Sequence, residues 1–169
     1  MKRIIKYIMI LSLLLTLEDL NKMKKNKSKL TPLQIEVTQN CGTEPPFNNK
    51  YWDNKEPGIY VDIVSGEPLF SSKHKYESGS GWPSFYQPIK EEGLKLTDDY
   101  DLGYKRVEVK AEESNSHLGH VFDDGPEITG KRYCINSASL KFIHKDDMRK
   151  MGYEKFLYIF EDREASQEN

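Results

Sequence analysis

Short stretches of alternating hydrophobic and polar residues dominate the chain after Gly58. Strict alternation is typical of a β-strand with one buried face, because successive side chains point to opposite sides of the strand. Turn sequences rich in Gly, Pro, Asp and Ser separate several of these stretches, as at 65–68 and 123–126. Many short strands with turns between them indicate a mainly β fold, an antiparallel sandwich or barrel. The pattern predicts strands at residues 59–64, 69–70, 106–110, 117–122, 132–143 and 156–160.

A short helix is predicted just before this β region. Thr31 can cap its first turn, Pro32 suits its first position, and Gln34 completes a capping box of reciprocal hydrogen bonds. Gly42 marks the expected end of the helix, which places Cys41 at the terminus. The apolar residues expected to face the core are Leu33, Ile35 and Val37. A second helical turn, ending at a glycine, is predicted at residues 147–152.

The first thirty residues differ from the rest. A positive start is followed by an apolar stretch at residues 7–17, shorter than the about 20 residues that a membrane-spanning helix needs. Both features match a secretory signal, although no small-x-small cleavage site follows. Residues 1–30 are therefore expected to be a signal-like or anchor segment plus a lysine-rich linker. A single domain at 31–162 and a polar tail at 163–169 would follow.

The compartment depends on this first segment. If residues 1–22 are a signal or an anchor, the protein is exported or held at a membrane. The alternative is that Met23 is the true start of translation, which would make the protein cytoplasmic.

Composition limits the classes of function. The chain has 169 residues, 37% of them hydrophobic and 11% aromatic, enough for one domain with a real core. The formal net charge of -2 argues against a nucleic-acid partner, because such proteins usually carry a basic surface. Two cysteines cannot form a disulfide framework; they form one bridge, a redox pair or no pair.

Cys134 is the candidate nucleophile. On the predicted strand its side chain shares one face with Arg132 and Asn136. A neighbouring guanidinium favours the thiolate and so lowers the pKa of a cysteine. The Asn136 amide can donate hydrogen bonds to a substrate or to the sulfur. The alternative is that Cys134 is buried as a small hydrophobic side chain.

His117 and His120 are candidates for acid–base chemistry beside that thiol. On a regular strand they would point to opposite faces, but Gly119 permits a bulge that re-aims one of them. Asp124 shares the parity of His120 and is expected to orient its ring. The alternative is that both are hydrogen-bonded histidines at the end of a sheet.

A zinc site through both cysteines and both of these histidines is also possible. The histidines are closer in sequence than is usual for zinc ligands, and neither cysteine belongs to a C-x-x-C pair. The spacing therefore argues against this site. Its ligands would be Cys41, His117, His120 and Cys134.

Trp82 follows two glycines in the block at residues 78–85, where backbone segments can approach closely. Its ring is expected to form a wall for a small apolar group such as a methyl. The alternative is a core tryptophan under a loop.

Three motifs, taken in order, closely resemble those of the methionine-R-sulfoxide reductases of the B type. Residues 42–47 and 51–52 are also similar to that family, and the likeness runs from about Thr31 to Phe160. The motifs are Gly81-Trp82-Pro83-Ser84-Phe85, His117-Leu118-Gly119-His120-Val121-Phe122 and Arg132-Tyr133-Cys134-Ile135-Asn136-Ser137-Ala138-Ser139.

The resemblance implies two antiparallel sheets in a tent-like β fold, with short helices near both ends. It implies that Cys134 attacks the sulfur of methionine-R-sulfoxide, free or in oxidised proteins. His117, His120 and Asn136 would hold and protonate the sulfoxide oxygen, which carries negative charge. The product on the enzyme is a sulfenic acid of Cys134.

The resemblance also assigns residues around this centre. Trp82 and Phe122 would contact the substrate, with Trp82 at its methyl group. Arg132 and Asp124 would surround the reacting groups and set their charge and orientation.

The sulfenic acid must then be reduced, most simply by a second thiol. Cys41 is the only other cysteine, so it is the candidate resolving residue. A disulfide needs Cα atoms within about 7 Å, so the end of the first helix should lie near Cys134 or move there. A thioredoxin-like donor would reduce the disulfide. The alternative is that external thiols attack the sulfenic acid directly.

Two departures from the family pattern follow from the residues present. Many members bind a structural zinc through two C-x-x-C pairs, whereas this chain has none, so no zinc or other cofactor is expected beyond an external thiol reductant. Other members carry a resolving cysteine where Ser80 stands, which shifts that role to Cys41. The positions matching the zinc ligands are Asp62, Ser65, Ala111 and Ser114.

Other functions remain open on the sequence. A non-catalytic β module could grip an apolar peptide in an aromatic cleft, or bind a metal. A thiol hydrolase would need the same cysteine and histidines, but no motif identifies an oxyanion hole. The protein is expected to act as a monomer.

Overall fold

The computed structural model describes residues 17–161. It consists of nine short strands in two antiparallel sheets, with two α-helices preceding them in the described part of the chain. The predicted mainly β architecture, with short helices near both ends, is therefore confirmed. Residues 1–16 of the predicted signal or anchor at 1–22, and the polar tail at 163–169, lie outside the described residues.

The helices are α1, described over residues 17–27, and α2 (Pro32–Asn40). The strands are β1 (Gly58–Asp62), β2 (Pro68–Ser71), β3 (Lys75–Tyr76), β4 (Ser84–Phe85), β5 (Leu94–Asp99), β6 (Arg106–Ala111), β7 (His117–Phe122), β8 (Arg132–Ile135) and β9 (Leu140–His144). Short 3-10 helices cover Ser72–His74, Glu91–Gly93, Ser137–Ser139, Lys145–Asp147 and Glu154–Phe160. The smaller sheet has the order β2-β1-β9, and the larger one the order β3-β4-β8-β7-β6-β5.

An aromatic core fills the space between the two sheets. Phe70 and Phe85 stack with ring centroids 4.5 Å apart, and Tyr60 packs edge-on against Phe85 at 5.1 Å. Leu118 and Ile135 reach the same core from β7 and β8 and are fully buried. Because β7 and β8 bury one face here, their opposite faces are free to carry the polar motif residues.

The predicted strand at 156–160 is wrong, because this segment is a 3-10 helix. Phe156 and Phe160 are both buried against Ile59 and Ile143, on the outer side of the smaller sheet. Apolar residues four apart fit a helical face as well as a strand, and packing against β1 and β9 decided between the two.

The predicted strand at 132–143 is interrupted after Ile135. There Asn136–Ser139 form a tight turn in which the Ser139 hydroxyl donates to the Asn136 carbonyl at 2.7 Å. The chain then crosses from the larger sheet to the smaller one as β9. Pattern alone did not reveal this break, because residues 136–139 include neither of the strongest turn formers, glycine and proline.

Helix α2 begins with the predicted capping box of Thr31 and Gln34. Val37 is fully buried, but Leu33 and Ile35 are 47% and 42% exposed, so the prediction that they face the core is wrong. Cys41 follows the last turn in the left-handed conformation, with φ 57°. The helix meets the domain mainly near its C-terminal end, where it presents Cys41 to the larger sheet.

Helix α1 includes residues 22–27, which were expected to belong to a lysine-rich linker outside the folded domain. The side-chain amide of Asn26 donates to the carbonyl of Val64 at 2.8 Å, so α1 contacts the domain. Within residues 17–161, no helix combines the length and apolar character needed to cross a bilayer.

Gly119 allows β7 and β8 to pair at the centre of the larger sheet. A Cβ atom at this position would lie 2.1 Å from the carbonyl oxygen of Cys134. We expect Gly119→Ala to lower the free energy of unfolding by about 3 kcal/mol, since the strands must separate to relieve the overlap. Urea unfolding followed by circular dichroism measures this.

Gly79→Ala is the matched control, because a Cβ there meets nothing within 4 Å. Only its left-handed backbone, with φ +72°, is strained by alanine, at a cost of about 1 kcal/mol. Equal stability of the two variants would contradict the close pairing of β7 and β8.

Candidate functional site

Cys134 lies on β8 and opens into a cavity of about 140 Å³ between the larger sheet and the preceding loops. Its sulfur is 3.8 Å from the hydroxyl oxygen of Ser80. The rings of Trp82 and Phe122 form apolar walls, and His120 contributes a polar one. The remaining lining residues are Thr43, Arg106, Gly119, Ile135 and Asn136.

Burial raises the pKa of the Cys134 thiol above its ordinary value, while the Ser80 hydroxyl and the Arg132 guanidinium lower it. Arg132 therefore lowers the pKa of Cys134, as expected, but the loss of water around the buried thiol raises that pKa by more. The unliganded thiol is thus held protonated near neutral pH, contrary to the expectation of a thiolate.

Arg132 stacks on the ring of Phe122, with its guanidinium carbon 4.5 Å from the ring centroid. It donates two hydrogen bonds to Asp124, each 2.8 Å long. This bidentate pair lowers the pKa of Asp124, and it occupies the carboxylate that was expected to orient His120. That prediction is wrong, since Asp124 fixes Arg132 instead.

Asp99 on β5 is the partner of His120, with Oδ2 2.7 Å from Nε2. The same oxygen accepts from the Arg106 guanidinium at 2.5 Å. The backbone N–H of Asp101, with help from His120 and Arg106, lowers the pKa of Asp99 to about 2. Asp99 is therefore ionised at neutral pH and holds the His120 ring with Nε2 toward β5.

His117 is paired in the same way with Glu108 on β6, with Nδ1 2.7 Å from Oε1. The ring is only 1% exposed, and this burial lowers its pKa, although Glu108 opposes the shift. Its Nε2 is buried and has no hydrogen-bond partner among the described residues. A buried nitrogen of this kind is free to bond a ligand.

A bulge brings the two histidines together. Gly119 pairs with Val109 and His117 with Lys110, so Leu118 is an extra residue in β7. The sequence had predicted a bulge at Gly119, next to this residue. The two imidazole rings lie with their centroids 5.5 Å apart. Both rings therefore lie on the same face of β7, but only His120 lines the cavity of Cys134, whereas His117 lines a neighbouring cavity.

Glu44, in the loop after α2, ties the walls of the cavity together. Its carbonyl accepts from the Trp82 indole nitrogen at 2.9 Å, and its backbone N–H donates to the Asn136 side chain at 3.1 Å. Its carboxylate, 3% exposed, accepts from the backbone N–H groups of Ser137 and Ala138. Burial nevertheless raises the pKa of this carboxyl, against the effect of those hydrogen bonds.

Asn136 is held at both ends of its side chain. Besides accepting from Glu44, its amide nitrogen donates to the Leu118 carbonyl at 3.0 Å. An amide nitrogen carries two hydrogens, so one remains for the cavity that Asn136 lines.

Cys41 lies in a neighbouring cavity of about 460 Å³, not in the cavity of Cys134. Its thiol donates to Glu108 Oε1 at 3.5 Å, and both burial and this carboxylate raise its pKa. The two cavities share Arg106 and His120, so the two cysteines approach the histidine pair from opposite sides. Neither cysteine forms a disulfide in this structure.

The four residues considered for zinc do not form one cluster. Among residues 17–161, the grouped metal-ligating atoms are those of Cys41, Glu108 and His117, mutually within 4.8 Å. Cys134 is not part of this group.

The positions that match the family's zinc cysteines make hydrogen bonds instead. Asp62 accepts from the backbone and hydroxyl of Ser65 at 2.7 and 2.8 Å. Ser114 donates to the hydroxyl of Ser116 at 2.7 Å.

Sequence reasoning missed four residues of this site. Arg106 and Glu108 are two residues apart on a predicted strand, so their side chains share one face. This pattern could have identified them. Asp99 lies on β5, a strand that the alternation did not identify. Glu44 lies in the family-like segment 42–47, but its role depends on contacts with residues 38 to 94 positions away, which the local sequence does not reveal.

Comparison with known proteins agrees with these motifs. The model of the SelR domain matches residues 30–144. A Vibrio cholerae serotype O1 protein called peptide methionine sulfoxide reductase MsrA/MsrB is 58% identical over 134 residues, 79% of this chain. This chain spans 35% of the length of that relative. The chain belongs to the SelR domain family, that of the B-type methionine-R-sulfoxide reductases.

Proposed function

We propose that the chain reduces methionine-R-sulfoxide, free or within oxidised proteins, to methionine. The observation that carries this proposal is the cavity of Cys134, in which a thiol faces both an aromatic wall and a carboxylate-held imidazole. The membership of the SelR family and the name of the Vibrio relative support it.

The aromatic wall suits the apolar end of the substrate. Trp82 and Phe122 border the space next to the Cys134 sulfur, and Trp82 is fixed by its hydrogen bond to Glu44. A methyl group against the indole ring would leave the sulfoxide oxygen facing His120. Only one sulfoxide epimer places methyl, oxygen and side chain in these directions at once, and membership of the SelR family supports the R form.

His120 passes on the proton that the reaction needs. Its Nε2 is directed at the ionised Asp99, so its other nitrogen remains for the substrate oxygen in the cavity of Cys134, with the ring of His117 beside it. Protonation of that oxygen weakens the S–O bond as the Cys134 sulfur attacks the sulfoxide sulfur. The remaining Asn136 amide hydrogen can bond the same oxygen.

The first step is balanced as a transfer of oxygen. Methionine sulfoxide and the Cys134 thiol become methionine and a Cys134 sulfenic acid. The sulfoxide sulfur gains two electrons, and the cysteine sulfur loses them. Because the resting thiol is protonated, its proton must pass to the sulfoxide oxygen, directly or through the histidines, as the bond forms.

Cys41 resolves the sulfenic acid in this proposal. Its thiolate attacks the Cys134 sulfur, giving a disulfide and water, and a thioredoxin-like donor then returns both thiols. Glu108 lies 3.5 Å from the Cys41 sulfur and can take up the thiol proton. Thr43, two residues on, already lines the cavity of Cys134.

The resolving step requires movement of the chain after α2. Glu108, His120 and Cys134 are paired in register across β6, β7 and β8. Two strand spacings separate Glu108 from Cys134, roughly 10 Å, whereas a disulfide needs Cα atoms within about 7 Å. Cys41 must therefore leave Glu108 and cross the histidine pair.

Cys134→Ser tests the nucleophile. We expect at least about a thousandfold loss of activity on the R epimer with dithiothreitol as reductant, because a hydroxyl cannot form the sulfenic acid. Chromatography of methionine formed from the separated epimers measures this. Unchanged turnover by the variant, or equal use of the S epimer by the wild type, would contradict the proposal.

Cys41→Ser tests the resolving residue. The variant should form one equivalent of methionine per enzyme and then stall with thioredoxin, since the sulfenic acid has no internal partner. Quench-flow counting of methionine and trapping of the sulfenic acid with dimedone measure both effects. Thioredoxin-driven turnover at the wild-type rate would show that another thiol resolves Cys134.

The burial of Cys134 predicts its pH dependence. In a Cys41→Ser background, where one thiol remains, the rate of alkylation by iodoacetamide should rise about tenfold per pH unit below the pKa. No plateau should appear below the ordinary cysteine pKa of about 8.5, because the pKa is raised. Arg132→Gln should slow alkylation further at each pH. A plateau near neutral pH would contradict this.

A further inference from the structure

Cys41, Glu108 and His117 form a cluster outside the cavity of Cys134. They come from the end of α2, from β6 and from β7, and their ligating atoms all lie within 4.8 Å of one another. The cluster opens into the cavity of about 460 Å³ on the far side of the histidine pair from Cys134. A sulfur, a carboxylate oxygen and an imidazole nitrogen are a donor set that Zn²⁺ binds in proteins.

We propose that these three side chains bind a divalent ion of the zinc class, with solvent in the fourth position. The ion would hold the Cys41 thiolate away from Cys134. This consequence rests on the proposed function, whereas the binding itself does not.

The distances suit a tetrahedral ion. Metal–sulfur and metal–oxygen bonds of about 2.3 and 2.1 Å place the two ligand atoms about 3.6 Å apart. The Cys41 sulfur lies 3.5 Å from Glu108 Oε1. Nitrogen and oxygen ligands would be about 3.4 Å apart. His117 Nδ1 now lies 2.7 Å from Oε1, so these two atoms must move apart by about 0.7 Å to admit the ion.

The Glu108 carboxylate is held with one oxygen directed at the site. Its Oε2 accepts from the hydroxyl of Thr97 at 3.1 Å and from the ammonium of Lys110 at 3.0 Å. Its Oε1 faces both Cys41 and His117. Hydrogen bonds to the distant oxygen are how proteins orient carboxylate ligands of metals.

The charge of the cavity favours a cation. Four carboxylates line it, against one guanidinium and one ammonium. Binding displaces the thiol proton of Cys41, and the ring proton of His117 moves from Nδ1 to Nε2, so both donor atoms are free for the metal. The acidic residues are Asp98, Asp99, Asp101 and Glu108, and the basic ones are Arg106 and Lys110.

The ion would slow the return of the Cys134 sulfenic acid to the thiol. A thiolate held by zinc beside Glu108 cannot reach the Cys134 sulfur until the metal leaves, because two strand spacings, roughly 10 Å, separate Glu108 from Cys134. The ion does not bind Cys134 or His120, so the first reduction of sulfoxide would still take place. Zinc should therefore slow thioredoxin-driven turnover more than the first, single turnover.

Titration of the reduced full chain with Zn²⁺ against a chromophoric chelator tests the site. We expect one equivalent to bind to the wild type and to Cys134→Ser. Cys41→Ser should bind about a hundredfold more weakly, and Glu108→Gln, which keeps the shape of the side chain, about tenfold more weakly. Thermal unfolding checks that each variant is folded.

Cobalt substitution provides a readout that reports the ligand itself. Co²⁺ bound to the wild type should show a thiolate-to-cobalt charge-transfer band, and Cys41→Ser should lose it. His144→Gln is the matched control, because His144 lies near two other carboxylates, Glu56 and Asp146, and should leave zinc affinity unchanged.

Three results would overturn the inference: no tight equivalent of zinc, an equivalent that survives Cys41→Ser, or one that is lost in Cys134→Ser. None of these measurements uses reductase activity. A chain that binds zinc through Cys41 but reduces no sulfoxide would refute the proposed function alone. A chain that reduces sulfoxide but binds no zinc would refute only this inference.

Discussion

The register of the larger sheet is the constraint on which the site depends. Glu108, His120 and Cys134 are direct neighbours across β6, β7 and β8, and Ser84 continues the row on β4. Residues paired in register project to the same side of a sheet, so the chemistry is arranged by backbone hydrogen bonds. A slip of one residue would turn these side chains into the aromatic core. Gly119 secures the pairing by letting the strands approach at Cys134.

The buried residue Glu44 positions the parts of the site that lie outside the sheet pairing. Glu44 joins the indole of Trp82, the amide of Asn136 and the turn after Cys134, although these lie on separate segments. Removing a carboxylate from water is costly, and the hydrogen bonds from Ser137 and Ala138 offset much of that cost. The loop that carries Glu44 also carries Cys41 and Thr43, so a movement of Cys41 would disturb the contacts of Glu44 with Trp82 and Asn136.

Much of the fold could be predicted from alternation and turn residues. Strands β1, β2, β6 and β7 were located, as were the capping box of α2 and the bulge at Gly119. The wrong predictions share one cause: at these segments tertiary contacts, and not the local sequence pattern, determined the structure. The segment at 154–160 became a 3-10 helix by packing on β1 and β9, and the strand after Cys134 broke where Glu44 captures two backbone amides.

The candidate site was less predictable than its motifs. Motif residues gave the thiol, the histidines and the aromatic wall, but not the partners that orient them. Asp99 is twenty-one residues from His120, and Glu44 is more than ninety from Ala138. Asp124 was predicted to orient His120 because the two side chains would share one face of a single strand. The actual partner, Asp99, comes from a strand two places away in the sheet.

The protonated state of the Cys134 thiol bears on survival of the protein under oxidising conditions. Peroxides consume thiolates readily and thiols slowly, so a sulfur kept neutral by burial is shielded from the oxidants that create damaged methionine. Reactivity would then be switched on only by a substrate that brings its own basic oxygen into the cavity. A reductase of the proposed kind would be less exposed to destruction by the oxidants that create its substrate.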